Sequence, residues 1–281
     1  MKTEIQLALR QMCGITGVSR AGYYRFLEPE KPCPEDLKLR DAMHQVALEW
    51  PCYGRRRMAK ELRDRGWKVG RKRVQRLMRE DNLLCVAKRK FIFTTNSAHG
   101  LPVYPNLAKD MVLTGVNQLW VADITYIRLE EEFVYLAVIL DAYSRRVIGW
   151  HLDDTLADSL SIAALRMALA QRPVPPSLVH HSDRGVQYAS GDYTQVLKDH
   201  GITISMSRKG NPWDNAACES FMKTLKYEEV HRTEYRNQSD ARARIGEFLE
   251  QVYNEKRLHS SLQYLAPNEF ERRSASSQEA A

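Results

Sequence analysis

The chain has 281 residues, 43% hydrophobic and 27% charged, enough for one large or two modest domains with cores of their own. No stretch approaches the roughly 18 consecutive apolar residues of a membrane span. The start, MKTEIQLALRQMCG, lacks a signal peptide's long apolar core, so a cytoplasmic protein is expected. The net charge of +7 is unevenly placed: residues 1–112 hold 23 Lys and Arg against 12 Asp and Glu, and residues 113–281 hold 19 against 23.

A basic first part joined to a mildly acidic second part suggests a nucleic-acid grip feeding a metal-using domain, the plainer alternative being a solvated basic surface. Residues 1–34 carry a short helical pattern broken by glycines, with Ser19 placed to cap its second helix, and end in a proline-rich linker. Residues 35–86 predict a helix-turn-helix DNA-binding domain. DLKLRDAMHQVALEW sets Leu37, Met43, Val46, Ala47 and Trp50 near one face, and RRRMAKELRDRG offers Met58, Ala59 and Leu62. After the turn GWKVG, RKRVQRLMREDNLL places Val74, Leu77 and Met78 at helical spacing. Two short helices about a glycine turn, the second rich in cations, form an arrangement that sets a helix in the major groove. Arg71, Lys72, Arg73, Arg76 and Arg79 are therefore expected to meet phosphates or base edges, the plainer alternative being a solvated helix face.

Residues 87–112 read as a basic, proline-containing linker. Beyond it the periodicity changes to strands: NQLWVADITYIRL, EEFVYLAVILDAYS and RRVIGWHLDD are rich in Val, Ile, Tyr and Trp and joined by short polar turns. The runs that follow alternate helix and strand, so the order βββαβαβα predicts an α/β domain with a mixed sheet and helices on its faces. Five cysteines, nowhere spaced as CxxC, argue against a thiolate metal module or a disulfide framework. The terminal residues 272–281 read as a disordered tail.

Three acids stand out. Asp123 sits inside the apolar run LWVADITYI, where a carboxylate either faces outward on an alternating strand or must be paired, hydrogen-bonded or metal-bound. Asp183 ends SLVHHSD, just past a strand's C-terminal end, where open α/β sheets build their sites. Glu219 falls on the helix NAACESFMKTLKY. At about 100° per residue, with Glu219 at zero, Asn215, Lys223 and Lys226 lie within about 40° of it, whereas Ala217, Cys218, Phe221 and Leu225 form the opposite, apolar face. That stripe continues an acidic site into a phosphate-binding track; a plain Glu219–Lys223 pair is the alternative. Oxygen ligands suit a hard cation such as Mg²⁺. His180 and His181, adjacent on a strand, point to opposite faces and are expected to be structural.

The stretches WVADITYI, LAVILDAYSRRVIGW, HHSDRGVQYAS, ISMSRKGNPWDNAACESFMKTLK and YNEKRLHSSLQYLAPNEF resemble the retroviral-integrase-like core of bacterial insertion-sequence transposases. The resemblance covers residues 113–271, with 36–86 like the helix-turn-helix that precedes such cores, and the chain closely resembles downstream-frame products of two-reading-frame elements. It implies an RNase H-like, mixed five-stranded sheet and a metal-binding triad of Asp123, Asp183 and Glu219. It also implies DNA contact by Lys226, and matches Asn211, Trp213, Asp214 and Asn215 to the family's loop-to-helix motif. Tyr253, Asn254, Arg257, His259 and Pro267 match the family's C-terminal signature.

The expected chemistry is DNA cleavage and strand transfer with two Mg²⁺ ions, Mn²⁺ serving as a substitute, and with Lys223, Lys226, Arg208 and Lys209 offsetting phosphate charge. Trp213 is placed either to stack on a splayed base or to pack within its loop. Expected partners are the element's terminal inverted repeats, target DNA, further copies of the chain and an upstream-frame protein or fusion. A DNA-binding regulator without catalysis and a plain metal-dependent nuclease are the alternatives.

Overall fold

The computed structural model describes residues 9–27, 34–83, 101–130, 132–208 and 215–279. The chain divides into two compact units, Met1–Val86 and Ala87–Ala281.

The first unit is helical: α1 (Leu9–Thr16), α2 (Arg20–Leu27), α3 (Pro34–Glu49), α4 (Arg55–Asp64) and α5 (Arg71–Glu80). Ser19 caps α2 as expected, its Oγ accepting from the Gly22 amide at 3.0 Å. Leu39, Met43 and Val46 of α3 are buried with Met58, Ala59 and Leu62 of α4 and Val74, Leu77 and Met78 of α5. Leu37, expected in that core, is 52% exposed. One turn back from Met43 is Leu39, whereas Leu37 lies about 120° around the helix. Gly66, at φ 90°, ends α4 in a left-handed conformation that a side chain would resist.

The second unit is a five-stranded mixed sheet of RNase H-like topology. Its strands are β1 (Leu119–Arg128), β2 (Phe133–Asp141), β3 (Val147–Asp153), β4 (Val179–Ser182) and β5 (Thr203–Met206). Their order is β3-β2-β1-β4-β5, with β2 antiparallel to β1 and β3, and with β4 parallel to β1 and β5. One face packs on α6 (Asp158–Gln171), the single turn α7 (Val186–Ala189) and α8 (Gly191–Asp199) through Leu160, Ala164, Tyr188, Tyr193 and Leu197. The other packs on α9 (Ala216–Leu225) and α10 (Gln238–Glu247) through Cys218, Phe221, Leu225, Ala241 and Ile245. The apolar side of α9 is thus the one its sequence angles give. A final helix, α11 (Pro267–Glu279), corrects one expectation: residues 272–279, read as disordered tail, continue it. Arg172 and Arg146 hold this helix through Glu271, at 2.6 and 3.0 Å.

Gly149 lets β3 lie directly against α6. A Cβ there would stand 2.3 Å from the Ala164 carbonyl oxygen and 2.9 Å from the Ala168 Cβ. Gly149→Ala is expected to cost roughly 1–3 kcal/mol, read as a lower midpoint in a urea titration. An unmoved midpoint would show that the strand and helix are not packed this closely.

Candidate active site

Pairing register brings the first two acids together. In the parallel pair, Leu119 lies opposite Val179, Trp120 opposite His180 and Val121 opposite His181. Two residues further on each strand's path are Asp123 and Asp183, so they emerge level, on one face, where β4 ends. β4 stops at Ser182 while β1 runs on to Arg128. The crevice a longer β4 would fill is a cavity of about 350 Å³ that both aspartates line.

Glu219 comes from α9, on the same face of the sheet. Asn215 fixes the start of that helix, its side-chain amide donating to the Ala122 carbonyl at 3.0 Å, one residue before Asp123. Asn215 is buried, so its amide is engaged with the sheet. Glu219 bonds Lys223 at 3.2 Å, the i,i+4 pair weighed as the plainer reading. Past Leu225 the helix widens into a π-helical turn over Lys226–Val230. Lys226 Nζ stands 4.5 Å from the centroid of the Tyr126 ring. Burial holds the Lys226 ammonium below its ordinary pKa, while the nearby Asp123 pulls it up.

Two aspartates of the sheet, Asp141 buried and Asp123 half-buried, show what distinguishes the site. Asp141 accepts from the amides of Asn117 (2.6 Å), Tyr143 (2.9 Å) and Ser144 (3.1 Å), a full set of donors for a structural acid. Asp123 accepts from the Ile124 amide at 2.9 Å. Burial, and next the charge of Asp183, push the Asp123 carboxyl up to about 8, with Glu219 adding to the effect. A concentration of negative charge in low dielectric favours a cation.

The donors are carboxylate oxygens, which fit a hard divalent ion. Among the described residues, however, no three His, Cys, Asp or Glu side chains are gathered closely enough to hold a single ion. Asp123 and Asp183 share the cavity, and Glu219 is turned to Lys223.

The two histidines are structural in their contacts. His180 bonds the Tyr193 hydroxyl at 2.9 Å, and burial brings its pKa down to about 3. His181 bonds Ser205 and Ser207 at 2.8 and 2.9 Å. Of the remaining expected DNA contacts, Arg208 is exposed, whereas Lys209 and Trp213, with Asn211 and Asp214, lie outside the described residues. In α5, Arg73 and Arg76 are tied to Asp36 of α3 at 2.6 and 2.8 Å, so these two bracket the helices together. Arg71, Lys72 and Arg79 are exposed and pair with no carboxylate among the described residues.

Residues 114–212 and 200–267 match integrase core domain families, and residues 34–91 match an HTH-like domain. The chain is 37% identical over 276 residues to the transposase InsF for insertion sequence IS3A of Escherichia coli (strain K12), covering 96% of each. The chain belongs to the insertion-sequence transposases. It is also 42% identical over 264 residues to the insertion element IS600 uncharacterized 31 kDa protein of Shigella sonnei, covering 92% of this chain and 97% of that one. Among solved structures, the catalytic core domain of BIV integrase aligns with 58% of the transposase and 99% of its own chain, at 17% identity and a TM-score of 0.43. The transposase is accordingly a polynucleotidyl transferase of the DDE type, acting in DNA transposition. No helix among its described residues is long and apolar enough to cross a membrane.

The sequence reading missed Tyr126, Phe133 and Tyr188 of the cavity wall. The first two look like ordinary strand aromatics, and only their place beyond the end of β4 sets them beside the acids.

Proposed function

We propose that Asp123, Asp183 and Glu219 bind two Mg²⁺ ions, Mn²⁺ serving in their place, and that the transposase cuts and joins DNA at the ends of its element. Support comes chiefly from one observation: the β1–β4 register brings Asp123 and Asp183 level at one cavity. Bound there, the ions would supply an activated nucleophile and compensation for charge on the leaving 3′ oxygen. Asp123 within β1 and Asp183 just past the end of β4 present oxygens from neighbouring strands, so their spacing is fixed by the sheet. Glu219 has to release Lys223, which then faces the DNA backbone together with Lys226. Both lysines offset phosphate charge, and Lys226 approaches over Tyr126.

In this reading a water opens the phosphodiester at the element's end. The freed 3′-OH then attacks a second phosphodiester in line, with no covalent enzyme intermediate. Arg71, Lys72 and Arg79 grip the DNA from the helix-turn-helix. Arg208, Lys209 and Trp213 extend the contact beside α9. The partners are the terminal inverted repeats, target DNA and further copies of this chain assembled on DNA, since two ends must meet. An upstream-frame protein or fusion completes end recognition, and the working place is the nucleoid in the cytoplasm.

A pre-cut element end with a free 3′-OH, target DNA and Mg²⁺ tests the proposal on a sequencing gel. Joined products are expected with that end. Cleavage without joining, for every end tried, would mark a plain nuclease instead.

A further inference from the structure

The cavity beside the acids carries more than acids. Its wall is aromatic: Tyr126 and Tyr135 face one another across the β1–β2 ladder, and the Phe133 ring lies 5.9 Å from Tyr126 at 70°. Leu156 and Val186 form part of the same lining. Phe133 is 49% exposed, Leu156 44% and Val186 43%. Single exposed apolar residues are ordinary, but three gathered at one cavity mark a binding surface.

A second observation points to a ligand. Tyr188 lines the same cavity and is 2% exposed, yet its hydroxyl is buried with no hydrogen-bond partner. A buried donor left unmade costs stability, and an acceptor atom entering the cavity would satisfy it. Cations border the aromatic wall: Lys226 over Tyr126 at 4.5 Å and the Arg128 guanidinium 6.0 Å from the Phe133 centroid. Aromatic faces flanked by cations suit a nucleotide, whose base stacks while its phosphates meet the charges. About 350 Å³ is within the size range of small-ligand sites.

We infer that this cavity is a nucleobase subsite: one unpaired base, next to the phosphate held at the acids, stacks on Phe133 and accepts a hydrogen bond from Tyr188. The inference deepens the transposase reading of the acids and rests on it for the choice of occupant. Continuity of the cavity with Asp123 and Asp183 makes the entering group a covalent neighbour of that phosphate. The subsite holds the strand in register by splaying one base out of its stack, and it reads no sequence, since every base offers a face.

Two measurements test it. First, the full-length chain is irradiated with a single-stranded oligonucleotide carrying one 5-iodouracil, and the adduct is mapped by peptide mass spectrometry. An adduct within Phe133–Tyr135, reduced about tenfold by Phe133→Ala, is expected; adducts only elsewhere overturn the subsite. Second, an abasic nucleotide beside the joined bond is expected to lower joining about tenfold, with Phe133→Ala costing nothing further on that DNA. An equal cost on abasic and intact DNA also overturns it. Tyr188→Phe removes only the unpaired oxygen, so it should hold or raise Tm while lowering joining on intact DNA alone. A wild-type chain that neither cuts nor joins any end would sink the transposase chemistry instead, and the adduct map would still decide the subsite.

Discussion

Replacing Asp123 with Asn is expected to abolish strand joining and, in the absence of metal, to stabilise the protein at pH 8. The two effects have one origin. Asp123 has its carboxyl raised from 3.8 to about 8 by burial and then by Asp183, so the folded state holds a proton that the unfolded chain releases near pH 4. The stability that proton represents is fully present below the unfolded pKa and is lost as pH rises through the folded pKa. Between about pH 4 and pH 8 the metal-free wild type therefore loses up to about 1.4 kcal/mol per pH unit from this group. The Asp123→Asn protein has no such slope, and its gain in Tm should be near zero at pH 4 and largest at pH 8. Mg²⁺ reverses the order, since it stabilises only the protein that can offer the carboxylate. If Asp123 is a ligand as proposed, its loss removes several kcal/mol of transition-state stabilisation, about 10³-fold or more in rate. Asp183→Asn should do the same to joining, with DNA binding by gel shift unchanged in both. Melting curves that coincide across pH in EDTA, or equal protection of both proteins by Mg²⁺, would remove Asp123 from the metal site.

How much of this could be read from the chain depended on whether the cause was local. The apolar faces of α4, α5 and α9 repeat within a few residues, so helical periodicity recovers them. Asp123 is conspicuous because an acid in LWVADITYI breaks an otherwise apolar run. The level placement of Asp123 and Asp183 is not legible from spacing, because it follows from β1 pairing with β4 at an offset of sixty residues. Arg73 and Arg76 read as free DNA contacts for the same reason: their carboxylate, Asp36, lies about forty residues back on another helix. The angles around α9 hold through Leu225 and then meet a π-helical turn, which no residue in KYEEV announces. The tail SASSQE has the composition of a disordered segment, yet it extends a helix anchored upstream by Glu271.

Removing the Arg257 side chain is expected to destabilise the catalytic unit by about 3–5 kcal/mol and to weaken joining with it. Arg257 is buried and makes two bonds of 2.7 Å to the Glu228 carboxylate, the fork-to-fork geometry that arginine forms best. Tyr253 lies under the guanidinium at 5.8 Å, and packs edge-on against Phe221 of α9 at 4.9 Å. Glu228 belongs to the π-helical turn that begins at Lys226, so this pair fixes the segment that aims Lys226 at Tyr126. In Arg257→Ala the half-buried Glu228 carboxylate loses the guanidinium it is forked to, which costs far more than the intact pair contributes. Replacing both partners, Glu228→Leu with Arg257→Leu, removes the stranded charge and should recover most of the lost stability. Joining should not recover with it, because the bidentate hold on the Lys226 turn is still gone. A double-mutant cycle by thermal denaturation separates the outcomes: an Arg257→Ala protein that melts within about 1 °C of wild type would mean that Arg257 and Glu228 are not paired in the interior.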